Sequence, residues 1–344
     1  MESKKKKILV IRLSAIGDIV WTSPSLRCLK TQLPNVELHF CTKKQYQSMV
    51  ENNPYLDKIH YLEDDLNTLV KTLKAEQFDT VIDLHKNLRS AWIRWHLWKK
   101  SYSYSKKSFR RWLFVNFKLP VMTTLHVAER YLEAIKPLGI VDDGKGLDYF
   151  LSEKDSVSKE KLPITHQNGY TAFIIGASTF TKRLPMNKMI ELCQKINMPI
   201  MLLGGKEELS TGNELVKAFE QPEMKAKCQT VIYNACGIFS LNESVFLAKQ
   251  AQFVFGHDTG LTHILAAYKK KIYAIYGGTS TIGFYPYRTD YYAIENKNLR
   301  CRPCSKSGLD SCPKKHFKCM QDINFDFELS QATQVSDDYS NKRS

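Results

Sequence analysis

The chain has 344 residues, 43% of them hydrophobic, and a formal net charge of +15. That length favours two domains over one small core, and the apolar fraction belongs to a globular protein, not to a disordered or fibrous one. No run approaches the roughly 18 consecutive apolar residues of a membrane span, and the cationic excess directs attention to polyanions: nucleic acid, an anionic membrane face or a phosphorylated substrate.

The start, "MESKKKKILVIRL", is basic, but its apolar run stops at Arg12, short of a signal peptide's hydrophobic region. The expectation is a cytoplasmic protein with reduced thiols, Cys41, Cys193 and Cys228 among them. Strands are predicted at 7–13, 36–42, 58–62 and 79–85. Between the last two, Leu66, Leu69, Val70 and Leu73 recur at helical spacing and predict a helix over 65–77. Strands separated by helices of this length imply βαβ units and a parallel sheet.

The first strand runs into "SAIGD", which lacks the three spaced glycines of a dinucleotide fingerprint. Asp18 therefore reads either as a helix N-cap or first-turn acid, or as a catalytic carboxylate at the mouth of the sheet. Further on, residues 86–118 hold ten Lys or Arg, nine aromatics and no Asp or Glu. Spacing alone accounts for Trp92 and Trp95 as the core side of a helix with a charged outer face. The absence of acids asks for more. Cations interleaved with Trp and Phe suit an anionic membrane or a phosphorylated glycolipid, and also single-stranded nucleic acid. The lipid reading is adopted here, with Lys106, Lys107, Arg110 and Arg111 expected to be exposed and to meet an acceptor or a membrane.

A polar linker at 151–170 interrupts the pattern, which restarts with strands at 171–178, 199–205, 230–237, 253–258 and 271–278. Two doubly wound halves make a two-domain α/β protein with a cleft, and ligands of such sheets bind beyond the carboxyl ends of the strands. Two more loops fall there. "GASTFTKRLP" (176–185) offers Ser178, Thr179, Thr181, Lys182 and Arg183, the donors and cations expected around a diphosphate, although a solvated loop has the same composition. "DTGLTH" (258–263) places Thr259 and Gly260 at a helix start whose backbone N–H groups can hold a phosphate. Its plainer reading is that Asp258 and Thr259 cap the helix. Cys301, Cys304, Cys312 and Cys319 follow the spacing C-x2-C-x7-C-x6-C, which fits either four-thiolate Zn²⁺, with His316 as an alternative ligand, or reduced thiols in a compact loop.

The stretches "ILVIRLSAIGDIVWTSPSLRCLK", "GASTFTKRLP" and "GHDTGLTHILAA" resemble glycosyltransferase family 9, the heptosyltransferases of lipopolysaccharide core synthesis, in register over residues 7–323. The C-terminal "CRPCSKSGLDSCPKKHFKCM" also resembles that family's cysteine-bearing end. The resemblance implies a GT-B fold, two facing Rossmann-like domains with an inter-domain cleft. An acceptor-binding domain is expected at 1–155, a nucleotide-sugar domain at 165–330 and a polar tail at 331–344. It further implies an inverting transfer without metal or other cofactor, from a nucleotide sugar, ADP-heptose by family, to a lipid-linked oligosaccharide of the lipopolysaccharide core. Such an enzyme would work in the cytoplasm or peripherally on the inner membrane. Carried over by motif, Asp18 is the expected base and Lys182 the expected phosphate contact. Ser178, Thr179, Arg183, Asp258, Thr259, Gly260, Leu261 and His263 complete the expected donor site. Leu184 stands where many members have tryptophan. Because the resemblance implies no metal, the four C-terminal cysteines are expected to be free thiols. The rival readings are a nucleotide-sugar epimerase of the same fold and a basic nucleic-acid-binding protein; the preferred one has no nucleic-acid partner.

Overall fold

Apolar residues run without alternation from Ile8 to Ile11, the pattern of a parallel strand covered on both faces, and all four are buried. The computed structural model describes residues 5–122 and 125–329, so the tail expected at 331–344 lies outside the described residues. In chain order the first half holds β1 (Lys6–Ile11), α1 (Ile16–Val20), α2 (Ser23–Gln32), β2 (Val36–Lys43), β3 (Lys58–Leu62), α3 (Leu66–Ala75), β4 (Thr80–Asp83), α4 (Leu88–Leu97), β5 (Lys100–Ser103), α5 (Ser108–Phe117) and α6 (Val127–Ile135). Its strands form one parallel sheet in the order β3-β2-β1-β4-β5.

The second half holds α7 (Ile164–Gln167), β6 (Thr171–Ile174), α8 (Met186–Ile196), β7 (Ile200–Leu203), α9 (Leu209–Glu220), α10 (Pro222–Lys225), β8 (Ile232–Asn234), α11 (Leu241–Gln250), β9 (Phe253–His257), α12 (Gly260–Leu265), β10 (Ile272–Tyr276), β11 (Tyr291–Glu295) and α13 (Lys318–Gln321). These strands also pair in parallel, in the order β11-β10-β9-β6-β7-β8. Strand order reverses between β1 and β4 in one sheet and between β9 and β6 in the other. Such switch points are where open parallel sheets bind ligands. The loops after β1, β6 and β9 are the three that the sequence singled out.

Local chemistry explains the elements. α3 starts at Asp65, whose carboxylate accepts from the N–H groups of Asn67 and Thr68. It buries Leu69, Val70 and Leu73, as the spacing requires. β5 and β11 are strands the sequence reading missed. Both are sheet edges, and "KSYS" carries no apolar alternation to announce itself. The segment at 151–170 is not a solvated tether. It is built of short turns and α7, and it buries Val157, Leu162, His166 and Tyr170.

One apolar cluster runs from Ile8, Val10 and Leu38 through Tyr149 and Leu261 to Ala172 and Val254, so the two sheets share a core across their junction. Polar bonds add to it: Val127 N donates to Gly283 O at 3.1 Å, and the Tyr149 hydroxyl donates to Asn242 Oδ1 at 2.6 Å. Past β11 the chain returns under the second sheet, where Phe317, Met320, Ile323, Phe325 and Phe327 pack with Phe173, Phe255 and Tyr273. Among the described residues no helix is long and apolar enough to cross a membrane.

Arg27 on α2 fastens the 142–148 turn. Its side chain is 3% exposed and pairs with Asp143 at 2.6 Å and with Asp148, while also donating to Gly146 O. The Arg27 hydrogen bond outweighs burial and draws the Asp143 carboxyl from 3.8 down to about 2. We expect Arg27→Ala to cost about 3–5 kcal/mol, the range for removing one partner of a buried ion pair, read as a lower urea midpoint. A folded value below the unfolded one means that Asp143 contributes stability above pH 3.8, lost as pH falls toward 2. The variant should lack that part of the acid limb. An unchanged midpoint and acid profile would show that the turn is held by packing alone.

Candidate active site

α1 begins where β1 ends, and its N-cap is Ala15, extended and without a side-chain cap. Asp18 lies in the first turn, so the N-cap reading fails and the first-turn reading stands. The carboxylate takes two bonds at one oxygen: Arg12 Nη2 lies 2.7 Å from Oδ1, and the Tyr131 hydroxyl donates to the same atom at 3.1 Å. Arg12 is itself buried and donates through Nη1 to Leu84 O at 2.6 Å, which fixes the guanidinium before it meets Asp18. Burial drives the Tyr131 hydroxyl well above its ordinary pKa and the Asp18 charge adds to this, so Tyr131 stays a donor.

The facing wall is built on "DTGLTH". Asp258 is buried, and its oxygens meet Lys182 Nζ at 2.9 Å, Thr279 Oγ1 at 2.9 Å and His263 Nε2 at 3.2 Å. Burial opposes its charge, yet Lys182 and then His263 outweigh burial and hold the carboxyl well below its ordinary range. Lys182 also donates to Asp258 O at 3.0 Å. Thr259 occupies the N-cap position of α12 with extended backbone and no side-chain cap. The capping reading of Asp258 and Thr259 is therefore replaced by a buried charge network. α12 starts hard against α1: a Cβ on Gly260 would lie 2.5 Å from Ile16 Cβ, an approach only glycine permits. The His263 ring packs edge-on to Trp21 with centroids 4.7 Å apart.

The loop after β6 is braced from behind. Leu184, standing where tryptophan was expected, is buried, and its N–H donates to His257 Nε2 at 3.0 Å. Arg183 is no freely solvated cation: Nε donates to Ala177 O at 2.8 Å, and Nη2 lies 3.4 Å from Glu208.

Two adjoining cavities open between these walls and share Ile16, Ser178 and Thr259. The larger, of about 490 Å³, lies against the loops after β6 and β7, with Arg183, Gly204, Glu208 and Leu261 on its wall. The smaller, of about 360 Å³, brings Asp18 together with Lys182, Asp258, Gly260 and His263. Thr179 lines neither; it lies beneath the loop at Gly308. Of the four belt cations Arg111 lines the smaller cavity, a correction to its assignment as an exposed charge. Lys106 is half-buried and donates to Lys86 O at 2.6 Å, Lys107 is half-buried, and Arg110 is exposed.

The belt is corrected elsewhere as well. α4 buries Ser90, Ile93 and Leu97, while Trp92 and Trp95 lie on a neighbouring face and are 41% and 61% exposed. α5 buries no residue at all and turns Phe109, Trp112 and Phe117 outward. Sequence reasoning also missed Arg12, Tyr131, Arg130 and Lys306. Arg130 carried a signal: it falls among Val127, Tyr131 and Ala134, on the buried face of an amphipathic helix. Its side chain is almost wholly buried, and none of Nε, Nη1 and Nη2 has a protein hydrogen-bond partner. Arg111 and Arg130 both approach the Phe284 ring, at 5.3 and 6.0 Å from its centroid. Burial lowers the pKa of each, and each cation lies where a bound anion would relieve it.

The architecture is that of the GT-B glycosyltransferases, whose solved members superpose on nearly the whole molecule. The family model for glycosyltransferase family 9 (heptosyltransferase) matches residues 66–315, and the chain belongs to that family. It is 27% identical to lipopolysaccharide heptosyltransferase 1 of Campylobacter coli over 79% of this chain and 84% of the relative. A family 9 glycosyltransferase of Veillonella parvula superposes with a TM-score of 0.68 at 22% identity, covering 86% of this chain and 87% of that one. An E. coli heptosyltransferase solved with ADP-2-deoxy-2-fluoro heptose gives a TM-score of 0.61 at 20% identity, covering 83% and 92%.

An unpartnered buried cation is a cost the fold carries for its site. We expect Arg130→Met to stabilise the ligand-free protein by about 1–3 kcal/mol, seen as a higher urea midpoint. A fall in the midpoint would mean that the guanidinium is well satisfied in the folded state.

Proposed function

We propose that this protein transfers a heptose from ADP-heptose to a lipid-linked acceptor of the lipopolysaccharide core, with inversion at the anomeric carbon and no metal ion in the reaction. The observation that carries this reading is the placing of Asp18 and of the Lys182, Thr259 and Gly260 group on facing walls of one cavity. Family membership supplies the reaction class, and the E. coli structure with a fluorinated ADP-heptose supports the donor.

Each group then has one task. The larger cavity receives the nucleoside, and the diphosphate lies at Ser178, Lys182 and the first N–H groups of α12. As the sugar's bond to the diphosphate breaks, charge grows on the leaving oxygens. Lys182 and the helix start stabilise it from positions fixed before the reaction. On the other wall Asp18 takes the proton of the attacking hydroxyl. Arg12 and Tyr131 hold one carboxylate oxygen, Oδ1, and so orient the other toward the acceptor. A nucleophile and a leaving group on opposite sides of the sugar favour inversion. Arg111, Arg130 and Lys306 beside Asp18 give the acceptor subsite its positive character.

The outward aromatics of α4 and α5, with Lys107 and Arg110, suit the anionic cytoplasmic face of a membrane that carries the acceptor. α5 also flanks the cleft, since Lys118 at its end donates to Pro303 O at 2.5 Å. Because Arg111 belongs to the cleft, a surface test spares it. Replacing Lys107 and Arg110 by Gln should weaken binding to anionic vesicles by about 1 kcal/mol per cation at low salt. Donor affinity should stay unchanged. Vesicle binding equal to that of the parent would make the belt ordinary surface.

The reaction itself is tested by incubating ADP-heptose with lipid-linked core acceptor and following heptosylated product by mass spectrometry. Asp18→Asn should keep ADP binding and lose roughly 10²–10⁴-fold in turnover, the usual worth of a general base. Turnover near that of the parent would reduce Asp18 to a partner of Arg12.

A further inference from the structure

We propose that His39, His60 and Glu76 hold one divalent transition-metal ion, Zn²⁺ by the ligand set, with Glu37 orienting His39. Glu37 starts β2 and Glu76 follows α3, so the site lies toward the amino ends of the strands. The cleft loops leave the carboxyl ends. The ion is therefore structural, and its site does not rest on the transferase reading.

A buried parallel strand calls for apolar side chains, yet β2 and β3 each bury a histidine. His39 is wholly buried and His60 nearly so. Glu37 and His39 are two positions apart on β2 and share a face of the sheet. β3 pairs in parallel with β2, Lys58 opposite His39, which sets His60 diagonally on that same face. Glu76 is the C-cap of α3 and comes to the two histidines from the helix side. Phe78 closes one flank, edge-on to both rings with centroids 5.1 and 6.1 Å away.

One ligand atom from each of His39, His60 and Glu76 lies within 4.8 Å of the other two, and among the described residues no other His, Cys, Asp or Glu group meets that closeness. His39 Nδ1 and His60 Nε2 are 3.0 Å apart. Two nitrogens on one tetrahedral Zn²⁺ stand about 3.3 Å apart. His39 Nε2 donates to Glu37 Oε1 at 2.8 Å, which fixes the tautomer and turns the Nδ1 lone pair toward His60. A carboxylate on the far nitrogen is the brace that metal-bound imidazoles commonly carry. In the metal-free protein the His60 Nε2 proton fills the lone pair of His39. Metal binding asks that this proton move to His60 Nδ1. Two neutral imidazoles and one carboxylate then converge, with a fourth position for water.

Two cations hold the acids in the metal-free protein. Lys7 Nζ lies 3.3 Å from Glu76 and 3.4 Å from Glu37, and Lys58 also pairs with Glu76. They supply the positive charge that an ion would bring. The Lys58 side chain is 54% exposed, and an exposed pair of this kind is worth little, so Lys58 can turn out into water. Lys7 keeps Glu37 as a partner. The ion and Lys58 therefore compete for one carboxylate, which gives the site a signature that a mere hydrogen-bonded histidine pair would lack.

The test is titration of untagged, reduced protein, stripped with a chelator, with Co²⁺ as the probe and its visible spectrum as the readout. One equivalent should give the bands of a four-coordinate ion without thiolate-to-metal charge transfer, and Zn²⁺ should displace it. His60→Asn and Glu76→Gln should lose those bands. Glu37→Gln should weaken binding by about 10–100-fold, the usual worth of a group that braces a ligand. Lys58→Gln should tighten it, whereas Cys304→Ser, outside the site, should leave it unchanged. If a histidine variant fails to fold, the parent spectrum and Lys58→Gln still decide. The site is overturned by a parent spectrum without four-coordinate bands, by thiolate bands alone, by bands that survive Glu76→Gln, or by equal affinity in Lys58→Gln and the parent.

Discussion

The cleft depends on one close approach, the start of α12 against the start of α1, where Gly260 meets Ile16 and His263 meets Gly17. A side chain at Gly260 would have to displace Ile16, and with it the loop that carries Asp18. Because the two helix starts touch, the loops after β1 and β9 share one cavity instead of facing separate ones. The edge-on contact of His263 with Trp21 and the apolar cluster through Leu261 and Tyr149 reinforce the approach. A residue without a side chain thus sets the distance at which two sheets cooperate.

Electrostatics follow from that geometry. Each acid in the smaller cavity has its own cation, Arg12 for Asp18 and Lys182 for Asp258. Arg111 and Arg130 on the same wall have no such partner at Nε. The resting cleft is therefore cationic beyond what its own carboxylates neutralise, and suited to ligands that carry phosphate or carboxylate into it. Pairing with the buried Asp258 holds the Lys182 ammonium in one position, so under the proposed reaction little reorganisation would remain.

Much of this was legible in the sequence because parallel strands announce themselves. The runs Ile8–Ile11 and Phe253–Phe255 are apolar without alternation, and each leads to a glycine- or acid-bearing loop. Loop chemistry then pointed to Asp18, Lys182 and Asp258, which the fold brings to one cavity. Partners supplied from far along the chain were not legible. Tyr131 reaches Asp18 across 113 positions, and Lys306 arrives on a segment read only for its cysteines. The belt misled for a related reason. Helical spacing fitted Trp92 and Trp95 as core, but α4 packs on Ile93 and Leu97, and the tryptophans cover one another outside. Periodicity tells that a helix has an apolar face, not which of two apolar faces the sheet will accept.

The central claim is that Asp18 and the diphosphate-binding wall act from opposite sides of the donated sugar. Its most direct test is the configuration of the new bond, determined by NMR at the anomeric carbon of the purified product and compared with that of the donor. A displacement across the cleft predicts the opposite anomer. Retention of the donor's configuration would contradict the account, because attack and departure would then occur on the same face.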